Sequence, residues 1–400
     1  MRAQYNWHRL AMPAAMAAVT AAGLGLAAVT TAASASAAAN PAASTAKANA
    51  HWRVVARASD ALTTIVAPAA GSAWALGDKA GASFASLPAG VRWNGHRWSS
   101  VSFPKAVKSG IACSGASSPR DVWALAGSGL YGGGASYAGA LQLSGSKWIV
   151  KRAFTPAGLV SGCTVLSPTN IWVYGLTHVA PGLGTWRLRG KTWRAVTTGQ
   201  FSLISASKVS AHDIWAMAAD RVGNNDVIAH FNGGSWRADA AFAAALPAQT
   251  STLTWNVSAI NAVRSGDVWV AGQILRENSQ DNWVPSPYVL HLAGGKWHKV
   301  ARSNPGYYLP GAVSDGHGGW WSQGTGLEFG SGAPSAKPYL LHESGGHWSR
   351  VSIATPKGYT MQIMDVVHVP GSHAMLAVAS VYNGTTGLRS VVLAYGQLPK

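Results

Sequence analysis

Only 14 of the 400 residues are Asp or Glu, against 31 Lys and Arg, so groups able to do acid–base chemistry are few. Asp121, Asp213 and Asp267, with Asn170, each open a short apolar run ending in a tight turn on its N-terminal side, where a short polar side chain hydrogen-bonds local backbone. Glycoside hydrolysis needs two facing carboxylates. The acids in longer connecting segments can supply them: Glu277 paired with Asp281 or with Asp226, and Asp220 on the same segment as Asp226. Trp255, Trp283, Tyr307 and Tyr308 are aromatics of the same region, and Asn278 and Asn282 stand beside them. Exposed rings next to short polar groups suit stacking on sugars or peptide groups. His230, His291 and His342 each stand six residues before a Trp. Ligands of one metal must converge on it, and equivalent positions of successive repeats do not, so a polar role between repeats is expected of them and no metal. Cys113 and Cys163, 50 residues apart, are either one disulfide or two buried thiols. No Gly-x-Ser-x-Gly elbow, phosphate loop or clustered metal motif is present. On these residues the expectation is a protein without enzymatic activity or cofactor that binds a glycan or protein through loops. A glycan-acting hydrolase using a loop carboxylate pair and a structural scaffold of the cell envelope are the alternatives.

The elements that position these residues follow from an internal repeat. Ser72-Ala-Trp74-Ala-Leu-Gly77 recurs as Asp121-Val-Trp123-Ala-Leu-Ala, Asn170-Ile-Trp172-Val-Tyr-Gly175, Asp213-Ile-Trp215-Ala-Met-Ala, Asp267-Val-Trp269-Val-Ala-Gly272 and, more loosely, Gly319-Trp320-Trp321. Taking Trp320 as the sixth, the Trp intervals run from 43 to 54 residues. A second signature follows each copy, a Gly turn and then Trp, at Gly95/Trp98, Gly145/Trp148, Gly190/Trp193, Gly233/Trp236, Gly294/Trp297 and Gly345/Trp348. Each unit reads as four short antiparallel strands, A to D, which is the period of a propeller blade. A seventh unit, from Gln362 to Tyr395, has only three strands. The segment His51-Trp52-Arg53-Val54-Val55 has the strand-D pattern and supplies the fourth, closing the ring and removing two exposed edges. The expected fold is therefore all-β: a seven-bladed β-propeller of four-stranded antiparallel blades, closed by the N-terminal strand pairing with the last blade. In it the connections B–C and D–A share one face, and that face carries Trp255, Trp283, Tyr307 and Tyr308.

Residues 1–37 read as a signal peptide: Arg2, His8 and Arg9, then an Ala-rich apolar stretch, then small residues around Ala35 and Ala37 suited to cleavage. Residues 38–50 read as a flexible linker and 51–400 as the propeller. The implied protein is secreted, with association to the cell envelope as the other possibility, monomeric, and without a stable membrane span once the signal is removed. The net charge of +17 comes from missing acids, and no run of five Lys or Arg exists, so nucleic acid is not the expected partner. A diffuse positive field favours polyanions such as wall polymers or acidic glycans.

The paired Asp-Val-Trp-Ala and Gly-x-x-Trp signatures resemble those of secreted bacterial β-propellers, and locally the tectonin-type and Asp-box repeats, over residues 51–400. Asp-box repeats place Ser-x-Asp-x-Gly before the strand-D Trp. Here only the Gly and the Trp match, as at Gly145 and Trp148, and no copy has Asp at the Asp position, the sixth having Glu343, so the resemblance implies the fold and no sialidase activity.

Overall fold

The computed structural model describes residues 51–399, apart from 80–86, 128–136, 177–181, 221–225, 301–311, 325–337, 346 and 384–385. Seven four-stranded sheets are present, each antiparallel and in the order A-B-C-D. Blades 1 to 6 occupy residues 61–100, 111–153, 160–196, 201–238, 253–299 and 312–352. Blade 7 takes strands A to C from Thr360–His368, Met375–Asn383 and Thr386–Tyr395, and its strand D is Trp52–Ala58. Trp52 lies opposite Tyr395 and Arg57 opposite Val391. Each A strand touches the A strand of the next blade, and that of blade 7 touches blade 1, so the ring is closed around its inner strands.

Two features of the repeat build this ring. The Gly of each C–D turn in blades 1 to 6 has φ between 58° and 94°, a region that a Cβ penalises, and this allows a two-residue reversal. The Trp of the two signatures then meet across blades. In four seams the strand-B Trp of one blade packs edge-on against the strand-D Trp of the next: Trp123 on Trp193 at 6.2 Å, Trp172 on Trp236 at 5.6 Å, Trp215 on Trp297 at 6.1 Å and Trp321 on Trp52 at 5.8 Å. Such aromatic pairs add to the stabilisation from area burial alone. The sixth repeat Trp is Trp321 and not Trp320, because Trp321 pairs with His342 across the sheet as Trp269 does with His291. Trp320 turns to the opposite side and lies between Trp269, at 5.6 Å, and Trp348, at 4.6 Å.

Asp315 accepts from the N–H of His317 and Gly319, as expected of a turn acid, and the turn acids also hold side chains of their own blade. Asp213, Asp267 and Asp315 each bond the Nε2 of a strand-C histidine, His230, His291 and His342, at 2.8–2.9 Å. Each imidazole is stacked on its own blade's Trp at 3.9–4.3 Å. The histidines thus act within a blade, as lids held over the Trp face, rather than between blades. Blade 3 builds the same unit from other residues: Arg187 Nε donates to Asn170 Oδ1 at 3.0 Å and its guanidinium lies 4.5 Å from the Trp172 ring. In blade 2, Asp121 accepts from Gln142 and from Trp123 Nε1.

Strand A carries a β-bulge at the same place in blades 1 to 5 and 7. A bulge interrupts the ladder and leaves backbone groups to find other partners. In three blades the N–H just before it is taken by a side chain of the preceding blade: Leu62 N donates to Ser390 Oγ, Ile111 N to the Asp78 carboxyl, and Val257 N to Asp226 Oδ2. Cys113 and Cys163 sit in the A strands of blades 2 and 3 and are joined as a disulfide with Cα atoms 6.0 Å apart.

Candidate functional site

The seam between blades 4 and 5 brings carboxylates together on the face of the B–C and D–A connections. Asp220 ends strand B of blade 4 (Asp213–Asp220) and Asp226 begins strand C (Asp226–Phe231), so the hairpin itself makes them neighbours. Asp226 reaches across to blade 5, where its Oδ2 accepts from Val257 N at 2.6 Å. Burial lifts its carboxyl to about 7, against an ordinary value of 3.8; the hydrogen bond from Val257 opposes the rise and the charge of Asp220 adds to it. Asp226 nevertheless keeps partial solvent exposure, as does Asp220. Tyr288, on strand C of blade 5 (Trp283–Ala293), lies near enough to Asp226 to feel its charge. Its Oη donates to Asn256 O at 2.9 Å, and burial together with Asp226 pushes its phenol well above the ordinary range. Gly272 makes this packing possible: a Cβ there would collide with Asn256 O and come within 2.6 Å of Tyr288 Oη.

The remaining residues expected of a binding face are dispersed. Trp255 is not an exposed platform but a core residue, 8% exposed, whose ring packs edge-on against Phe242 at 5.8 Å while its Nε1 donates to Pro247 O. The D–A connection of blade 4 causes this. Asp239 caps the short helix Ala240–Ala244, which drops Phe242 onto Trp255. Glu277 and Trp283 face each other at the far end of the long B–C hairpin of blade 5, five residue pairs beyond Gly272 and Tyr288. At the usual rise per residue that is about 17 Å along the strand. Asp281, with φ of 57°, lies in the exposed turn that Asn278 holds by accepting from the N–H of Gln280 and Asn282. The structure therefore separates Glu277 and Asp281 from Asp226 and gives Asp226 the partner Asp220. Tyr307 and Tyr308 lie outside the described residues.

Two buried carboxylates escaped sequence reasoning. Asp78 in blade 1 is lifted by burial to about 6 and fits only because Gly110, which it touches, has no side chain. Asp365 in strand A of blade 7 is fully buried. Its Oδ2 accepts from Ile65 N at 2.8 Å and Thr64 Oγ1 at 3.2 Å in blade 1, and burial pushes its carboxyl well up. A lone acid inside the apolar run Gln362–Val369 was the signal for it, since such a group must find buried donors.

No family model matches the sequence, and no curated protein matches it. Solved structures do share its fold. The chain is similar to a GH74 xyloglucanase from Xanthomonas campestris at 14% identity and a TM-score of 0.54, covering 83% of this chain and 53% of that one. The match thus spans about half the length of that relative. It is similar to the polysaccharide lyase Uly1 at 11% identity and a TM-score of 0.51, covering 86% and 91% of the two chains. YCF48 from Cyanidioschyzon merolae aligns at 12% identity and a TM-score of 0.50, covering 86% and 99%. These structures correct the expectation of a non-enzymatic binding protein. Propellers of this plan include a xyloglucanase and a polysaccharide lyase, so the lack of a short catalytic motif in the repeat is no ground for setting enzymatic activity aside. No helix among the described residues is long and apolar enough to cross a membrane.

Proposed function

We propose that this chain is an exported, glycan-acting hydrolase whose general acid is Asp226, with Asp220 as the partner carboxylate. The state of the Asp226 carboxyl carries the reading. A group lifted to about 7 keeps its proton near neutral pH and can deliver it to a glycosidic oxygen as the bond breaks. The partner carboxylate then acts on the anomeric carbon, directly or through a water, as the stereochemistry of the product would reveal. The names of two propellers similar in fold, a xyloglucanase and a polysaccharide lyase, support a polysaccharide as the substrate class. Trp283, half-buried at the hairpin tip, is the proposed outlying platform for the sugar chain.

In this reading residues 1–37 direct export, 38–50 are a linker and 51–400 form the working ring. The disulfide between Cys113 and Cys163 suits an oxidising compartment. N-terminal sequencing of the exported protein should begin just after Ala35 or Ala37; a product that begins at Met1 rejects the export assignment.

The function is tested by reducing-end release from a panel of neutral and acidic polysaccharides. Asp226→Asn keeps an oxygen to accept from Val257 N–H and so preserves the fold, but cannot supply the proton. It and Asp220→Asn should each lower the rate by about 10²-fold or more. No release from any polymer, or variants as active as the parent, rejects the hydrolase.

A further inference from the structure

A cleft of about 500 Å³ runs along the outer strands of blade 3, and its lining is basic with no acid to answer it: Arg187, Arg189 and Arg194, with Thr192, Ala195, Val196 and Thr197. We infer that this cleft is a binding site for the anionic groups, sulfate esters or uronate carboxylates, of an acidic polysaccharide.

The argument begins with the ladder. Arg187 on strand C (Thr185–Arg189) lies directly opposite Arg194 on strand D (Thr192–Val196), and Arg189 is opposite Thr192. Like charges placed directly across a sheet destabilise it. Among the described residues no carboxylate forms an ion pair with any of the three. Arg187 is also fixed: its Nε is held by Asn170 Oδ1, and its guanidinium lies 4.5 Å from the Trp172 ring and 5.3 Å from the Phe231 ring of blade 4. It is half-buried, and burial together with the neighbouring Arg189 lowers its proton affinity. Three arginines carried on adjoining positions of strands C and D, one of them pre-oriented on an aromatic floor, make an anion site. Successive residues on one face of a strand are about 7 Å apart, so Arg187 and Arg189 can take successive charges of an extended polymer. The groove runs from the C–D turn up to the D–A connection, along the height of the blade, as a linear chain requires. The choice of a polysaccharide over other polyanions rests on the proposed function; the anion site itself does not.

The exported chain is tested for binding to dextran sulfate, polygalacturonate and neutral dextran by affinity electrophoresis, a readout independent of turnover. Dextran sulfate, polygalacturonate or both should retard it, weakening with added salt, while neutral dextran does not; which of the two does so distinguishes sulfate from carboxylate. Arg189→Ala combined with Arg194→Ala, both exposed, should weaken retardation about 10-fold or more. The control pair Arg120→Ala with Lys147→Ala removes the same net charge elsewhere and should change it less than about 2-fold. Equal effects of the two pairs, or no retardation by either acidic polymer, overturn the site. Tighter retardation by single-stranded DNA than by both acidic polysaccharides overturns the choice of ligand. If binding follows prediction while no polymer is cleaved, the hydrolase reading fails and the anion site stands.

Discussion

Asp226 joins two blades and carries a proton, and these two tasks pull against each other. Its carboxyl is lifted from 3.8 to about 7, so the folded chain holds this proton more tightly than the unfolded chain. The stability it contributes is complete below about 4 and is lost as pH rises through 7. Asp226→Asn removes the titration and keeps an acceptor for Val257 N–H. At pH 8 the variant should melt a few degrees above the parent while losing activity, as calorimetry alongside the assay would record. A lower melting temperature at pH 8 would mean that the carboxylate is a structural staple and nothing more. The sequence made this residue a candidate only as one acid among several in long connections. Its partnership with Asp220 follows from a hairpin, but its burial depends on Val257, Asn256 and Tyr288 of another blade, which spacing cannot disclose. Trp255 shows the converse. Beside polar loop residues it reads as a sugar platform, yet the capped turn 239–244 folds Phe242 over it.

The strands were legible because two Trp per repeat and a positive-φ Gly recur at fixed distances. That pattern sets both the blade and its seam with the next. It failed by one residue in blade 6, where two adjacent Trp offered two registers and only pairing with His342 decides between them. The bulge in strand A was invisible for a different reason: it carries no common residue type, as Thr63, Ala112, Ser161, Ile204, Ser258 and Met364 occupy it. The closing strand offers a direct test. Trp52 is 3% exposed and packs on Trp321 and Tyr395, so Trp52→Ala should cost about 3–5 kcal/mol in denaturant unfolding. A loss below about 1 kcal/mol would mean that the ring does not depend on this strand. The disulfide ties the A strands of blades 2 and 3 across a 50-residue separation. Replacing both Cys113 and Cys163 with Ser should lower stability by about 2–4 kcal/mol.

The whole molecule is a ring, and three of its seams are crossed by acids in an otherwise acid-poor chain. Asp78, Asp226 and Asp365 each accept a backbone N–H from the next blade, and burial raises all three carboxyls. By the same sign as for Asp226, the contributions of Asp78 and Asp226 fade as pH rises through 6 and 7. His368 works in the other direction: burial lowers its proton affinity, so it costs stability only as pH falls below about 6.5. The melting temperature should therefore fall from pH 6 to pH 8, against the usual trend for a protein whose acids are exposed. Ring closure was legible because the last unit lacks one strand and the first residues of the propeller supply it. The basic cleft on blade 3 was legible only as a surplus of charge, since its three arginines meet through the pairing of strands C and D. The pH dependence of reducing-end release by the parent protein is the most direct test of Asp226 as the acid. The rate should fall on the alkaline side with a midpoint near 7, and Asp226→Asn should retain too little activity to show that limb. A rate that stays flat from pH 6 to 9, or an alkaline limb unchanged in Asp226→Asn, would contradict it.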